Sequence, residues 1–99
     1  MIVNRRTFIV KTGHMDQLLA LLKAAREQFS TSAHAWRTYA PQIGPFDVVA
    51  IEWEYESLEE YEKDWAEWGA TPESVAFMEK WNQLTESGGT NEIWTLAEQ

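Results

Sequence analysis

The chain contains no cysteine, and that absence removes disulfides, thiolate metal ligands and a thiol nucleophile at once. Histidine is nearly as scarce. His14 and His34 are the two present, and they stand in neither of the close spacings, H-x-H or H-x-x-x-H, that would give a metal signature. Basic residues are also few: eight Lys and Arg against sixteen Asp and Glu leave a formal net charge of -8. Phosphate backbones and anionic headgroups draw their protein affinity mainly from Lys and Arg, so neither nucleic acid nor a membrane surface is expected as a partner. No apolar run approaches the roughly 20 residues of a membrane span, and the N-terminus lacks the apolar stretch of a signal peptide. A cytoplasmic location is the expectation. No glycine-rich loop opens a helix to cradle phosphate, since Gly88-Gly89 lead into a strand pattern. What remains is 44% hydrophobic and 24% charged residues with no low-complexity tract, the make-up of a folded domain rather than a disordered one. Ninety-nine residues suffice for one domain, 1–99, which would bury about two thirds of its unfolded surface when folding alone.

Residues 42–60, QIGPFDVVAIEWEYESLEE, hold the clearest structural instructions. Gly44-Pro45 is a turn dipeptide, because Gly tolerates positive φ and Pro fixes its own. A strand is expected directly after it, from Phe46 to Tyr55. Val49, Ile51, Trp53 and Tyr55 then share one face, and Val48, Ala50, Glu52 and Glu54 the other. Ser57 stands three residues before Glu60, the capping-box spacing that opens a helix.

Residues 2–11 (IVNRRTFIVK) are rich in β-branched and aromatic side chains and close at Thr12-Gly13, which predicts a strand. Asn4, Arg6, Phe8 and Val10 fall on one side of it, and Val3, Arg5, Thr7 and Ile9 on the other. Met15, Leu18, Leu19, Leu22, Ala25 and Phe29 recur at helical spacing and predict an amphipathic helix over 14–29. Ser30-Thr31-Ser32 breaks it. Residues 33–40 suit a strand ending before Pro41, which would hairpin through Gly44-Pro45 onto the strand that opens at Phe46. A helix over 58–68 carries Leu58, Tyr61, Trp65 and Trp68 on one side, with Gly69 as its C′ residue; Glu59, Glu60, Glu62, Asp64 and Glu67 make a solvated face. Thr71-Pro72 restarts a helix as N-cap and first residue, with Val75, Met78, Trp81 and Leu84 or Thr85 inward. Ser87-Gly88-Gly89 is expected as a loop and 90–97 as the last strand.

The order strand, helix, strand, strand, helix pair, strand is that of two split βαβ units. With right-handed crossovers it predicts an α+β, ferredoxin-like sheet of four antiparallel strands with the helices on one face. The other face would expose more apolar surface than a small monomer usually leaves bare. A second copy is the simplest cover, because two-fold pairing buries the same patch on both chains. The expected assembly is therefore a homodimer, with two sheets closing into a dimeric α/β barrel.

RTFIVKTG at 6–13, QIGP at 42–45 and VVAIEWEYESLEEYE at 48–62 resemble the NIPSNAP-like group of the dimeric α/β barrel superfamily, over nearly the whole chain. The resemblance implies a homodimeric ferredoxin-like barrel and little about chemistry, since many such members have no assigned activity. Where similar proteins often carry an acidic residue two before the first-strand arginine, this chain has Asn4. The wider superfamily includes cofactorless antibiotic-biosynthesis monooxygenases and haem-degrading monooxygenases. The latter pair an Asn on the first strand with Trp and His on the second helical segment; Asn4 and Trp65 sit at similar places. No His occurs from residue 35 onward, so haem ligation in that manner fails, and no cofactor is implied.

Candidate chemistry rests on few residues. His34 could serve as acid, base or ligand, since imidazole titrates near neutral pH; a half-buried structural role is the plainer account. Glu52 and Glu54 share a strand face and would need protons or partners among Arg5, Arg6 and Arg37, as an ion-pair network or as an acid/base pair. His34, Glu52 and Arg6 are thus the catalytic candidates. Six tryptophans could wall a pocket for a flat ligand or simply fill core and interface. Asn4, Trp53 and Trp65 are the candidate ligand-binding residues. Two functions follow: a homodimeric module that binds an apolar or aromatic small molecule, or a cofactorless monooxygenase acting on an aromatic substrate in the cleft between sheet and helices.

Overall fold

The order of elements in the computed structural model, which describes residues 1–28 and 34–98, is β1 (Ile2–Val10), α1 (Met15–Gln28), β2 (Trp36–Tyr39), β3 (Val48–Tyr55), α2 (Leu58–Gly69), α3 (Pro72–Leu84) and β4 (Thr85–Thr95). The strands form one antiparallel sheet in the order β2-β3-β1-β4, the ferredoxin-like arrangement expected. β1 and β3 lie at its centre, in a register that sets Arg6 opposite Ile51 and Arg5 opposite Glu52. Because the side-chain period of a strand is two, Asn4, Arg6 and Phe8 share a face with Trp53, Ile51 and Val49. The helices cover that face. Val10, Leu18, Leu22, Val49, Ile51 and Trp81 make its buried core.

Local chemistry accounts for the helix starts. The Ser57 hydroxyl accepts from the Glu60 N–H at 3.2 Å, and the Thr71 hydroxyl accepts from the Ser74 N–H at 3.2 Å with Pro72 at the first helical position. Gly69 is not a C′ residue: α2 runs through it and is capped by Ala70 in ordinary right-handed geometry.

Several boundaries differ from expectation. The central strand starts at Val48 rather than Phe46, because Asp47 adopts φ 56°. Its carbonyl accepts from the Val10 N–H at 2.7 Å and its carboxylate from the Thr12 hydroxyl, which leaves Phe46 95% exposed. β2 is an edge strand bonded to β3, the antiparallel pairing expected of a hairpin through Gly44-Pro45. The predicted ends at Phe29, Ser30-Thr31-Ser32 and Ala33 lie outside the described residues.

Ser87-Gly88-Gly89 belongs to β4 rather than to a loop. The register against β1 shifts between Thr7 and Ile9, and the two glycines take the positive φ that this bulge requires. A Cβ on Gly89 would collide with the Thr7 carbonyl oxygen, so the lack of a side chain is what admits the neighbouring strand. In α3 the inward side is Ser74, Phe77, Trp81 and Leu84; Val75 and Met78 are exposed. The apolar residues of that helix are spread around it: Trp81 and Leu84 of the expected stripe do face inward, while Ser74 and Phe77 take the places expected for Val75 and Met78.

Candidate functional site

Asn4 is fully buried on the helix-covered face of β1. An amide there must find partners, and its Nδ2 donates to Asn91 Oδ1 at 2.7 Å and to the Glu92 carbonyl at 2.9 Å, both on β4. Its Oδ1 accepts from Arg6 Nε at 3.1 Å. Arg6 Nη2 donates to the Tyr61 hydroxyl of α2 at 2.9 Å, and its guanidinium lies over Trp65, 4.0 Å from the ring centroid. Asn4 and Tyr61 thus hold one cation in place from strand and helix. Among the described residues no carboxylate forms an ion pair with it.

Arg6 borders a cavity of about 390 Å³ between the sheet and the three helices. Most of the wall is aromatic. Trp36 stacks on Trp53, Trp53 meets Trp65 edge to face at 5.2 Å, and Trp65 meets Trp68 at 5.8 Å. Trp68 meets Phe77, Phe77 stacks on Trp81, and Trp81 meets Phe8 at 4.9 Å. These seven rings all line the cavity. No residue of α2 is fully buried, and its large rings Trp65 and Trp68 form the wall on that side. Trp94 is apart from the other five tryptophans; paired with Val3 on the opposite sheet face, it is 59% exposed.

Among the described residues, the ionisable groups bordering the cavity are Arg6, Asp64 and Glu67. Asp64 does not belong to a solvated face: it is half-buried and accepts from the Tyr55 hydroxyl at 2.7 Å. Burial and that carboxylate raise the Tyr55 phenol above its ordinary range, so it stays protonated as a donor. Trp65 Nε1 is buried and meets no acceptor among the described residues.

The structure therefore brings Asn4, Arg6, Trp53 and Trp65 together. It separates the catalytic candidates. His34 lies against Tyr55, ring centroids 4.5 Å apart, in a second hollow with Glu54, Glu56, Glu60 and Lys63. Glu52 lies on the opposite sheet face, where Oε2 accepts from Arg5 Nη1 at 2.7 Å and Oε1 from the Tyr39 hydroxyl at 3.1 Å. Among the described residues no group of three His, Cys, Asp or Glu could hold a metal ion, and no helix is long and apolar enough to cross a membrane. Sequence reasoning passed over Tyr61, Asp64, Phe77 and Asn91. For Asp64 a signal existed, since it shares a helical stripe with Tyr61 and Trp68.

Among comparisons, the family model NIPSNAP matches residues 3–97. No curated protein matches the chain. A NIPSNAP domain protein from Burkholderia xenovorans superposes with a TM-score of 0.85 at 18% identity, covering 98% of this chain and 95% of that one. A NIPSNAP family protein from Agrobacterium tumefaciens superposes with a TM-score of 0.81 at 24% identity, covering 95% and 90%. An antibiotic biosynthesis monooxygenase superposes with a TM-score of 0.74 at 15% identity, covering 99% and 100%. At such identities the likeness is one of fold.

Proposed function

The chain belongs to the NIPSNAP family, and from that premise we propose that it is a homodimeric module that binds an apolar or aromatic small molecule in the cavity between sheet and helices. The observation that carries this reading is the unbroken series of aromatic rings around about 390 Å³. That volume falls within the roughly 300–1,000 Å³ of small-molecule sites, which are apolar with a few fixed polar groups. Arg6, pinned by Asn4 and Tyr61, is such a group. Dimerisation is supported by the uncovered sheet face, where Trp94 and Tyr39 are exposed beside the Arg5–Glu52 pair; a second sheet would cover all four.

A second reading, a cofactorless monooxygenase acting on an aromatic substrate, is favoured by the fold likeness to the antibiotic biosynthesis monooxygenase and by the Asn4–Arg6–Tyr61 cluster at an apolar cavity. It requires substrate-dependent oxygen consumption, which a binding module lacks.

The neutral fluorescent probe N-phenyl-1-naphthylamine tests the first reading. Its emission should rise on addition of the protein, and Ala25→Phe, which places a ring in the cavity, should weaken binding by about ten-fold or more. Equal binding by both proteins, with the variant's fold verified by circular dichroism, contradicts the assignment.

A further inference from the structure

We propose that the occupant of this cavity carries a carboxylate or similar planar anion on its aromatic or apolar body, and that Arg6 receives it. The inference rests on the cavity being a small-molecule site and adds the chemical class of the ligand.

Three observations carry it. First, the guanidinium is held but not neutralised. Of its five N–H donors, Nε is used by Asn4 and one on Nη2 by Tyr61, both uncharged acceptors, and no carboxylate pairs with it among the described residues. A cation in a partly buried, apolar setting gains most from an anion that accepts its remaining hydrogen bonds, and a planar fork suits a planar carboxylate.

Second, neither acidic group of the cavity forms an ion pair with Arg6 among the described residues. Asp64 accepts from Tyr55 at 2.7 Å. Glu67 is exposed, with its carboxylate 4.0 Å from Lys63 Nζ, and belongs to the solvent side. The positive end of the cavity is thus the inner one, at β1, and an amphiphilic anion would enter with its charge toward the sheet and its body against Trp53, Trp36 and Phe8.

Third, the Trp65 indole N–H is buried and meets no acceptor among the described residues, on the ring that Arg6 covers. Such donors are uncommon in folded proteins and call for an explanation. A negatively polarised ligand group beside Arg6, with a small adjustment of the indole, supplies one.

The test compares two probes with one ring system, 2-naphthoate and naphthalene-2-carboxamide, by isothermal titration calorimetry against the full chain. The naphthoate should bind about ten-fold or more tightly than the carboxamide, the scale of a hydrogen bond to a charged group. In Arg6→Met the two should bind alike. Equal affinities in the unsubstituted protein overturn the anion assignment and leave the cavity site standing, whereas no binding of either probe removes both. A preference that survives Arg6→Met also overturns it. Independently of whether the variant folds, the Arg6 Nε–H resonance should move on adding naphthoate and stay with the carboxamide; a response confined to Arg5, Arg26 or Arg37 contradicts the proposal.

Discussion

Arg6 and Trp65 are 59 positions apart in sequence, yet the guanidinium carbon of one stands 4.0 Å from the ring centroid of the other. Together with the bond from Arg6 to Tyr61, this contact ties α2 to β1. It explains how a helix without one fully buried side chain keeps its position over the sheet. Cation–π contacts contribute about 0.5–2 kcal/mol depending on desolvation. An Arg at this position therefore both shapes the cavity and charges its inner end.

The core is expected to fail first at β3. Ile51 is 2% exposed and packs in the cluster with Leu18, Leu22 and Trp81. Ile51→Ala should lower stability by about 2–5 kcal/mol in a urea titration; a loss below about 1 kcal/mol contradicts the assignment of faces.

The open sheet face gives a second expectation. As an exposed pair, Arg5–Glu52 would contribute about 0–1 kcal/mol; covered by a second copy, loss of one partner leaves a buried charge alone and costs several. Glu52→Gln should shift dimer dissociation measured by sedimentation markedly, and Glu62→Gln, on the exposed side of α2, should not. Equal behaviour of the two variants, or a clean monomer at micromolar concentration, contradicts the barrel assembly.

Gly89→Ala is expected to destabilise more than an ordinary surface substitution. It combines positive φ with a collision against the Thr7 carbonyl oxygen, and backbone in the strand cannot yield as a flexible side chain would. Its thermal midpoint should fall well below that of Gly13→Ala, which also has positive φ but open space around it. Equal midpoints contradict the close approach of β4 to β1.

Tyr55 supplies the expectation for pH. Its phenol is raised above the ordinary 10.0, first by burial and then by the bond to Asp64. The folded state thus binds this proton more tightly than the unfolded one, so the contribution to stability is present below pH 10 and is lost progressively above it. In ultraviolet titration, wild type minus Tyr55→Phe should show no tyrosinate before the alkaline unfolding transition. A tyrosinate appearing in the folded protein at pH 10 contradicts the buried hydrogen bond.

Much of this fold was legible in local chemistry. Ser57 and Thr71 announce their helices because a cap needs only a hydroxyl three residues before a free N–H, and the alternation from Val49 to Tyr55 needs only period two. The resemblance carried by residues 42–62 pointed to the family that the match over 3–97 shows. The errors arose where a partner strand decides. Gly88-Gly89 suggest a loop because nothing local reveals a bulge against Thr7, and the register that creates it is a non-local property. In the site, Asn4, Trp53 and Trp65 were named individually and do meet. Tyr61 and Asp64 were passed over because their roles depend on how far α2 stands from the sheet. Glu52 meets Arg5 of the first strand, one of the partners expected for it, but strand alternation says which residues share a face and not which face holds the cavity.

The central claim is that the cavity on the helix-covered face is the binding site. The most direct measurement follows the six tryptophan indole N–H resonances while the ¹⁵N-labelled protein is titrated with naphthalene-2-carboxamide. The account predicts that those of Trp36, Trp53, Trp65, Trp68 and Trp81, which line the cavity, shift together with one affinity, while that of Trp94 on the opposite face stays in place. A response led by Trp94, or none from the five, would contradict it.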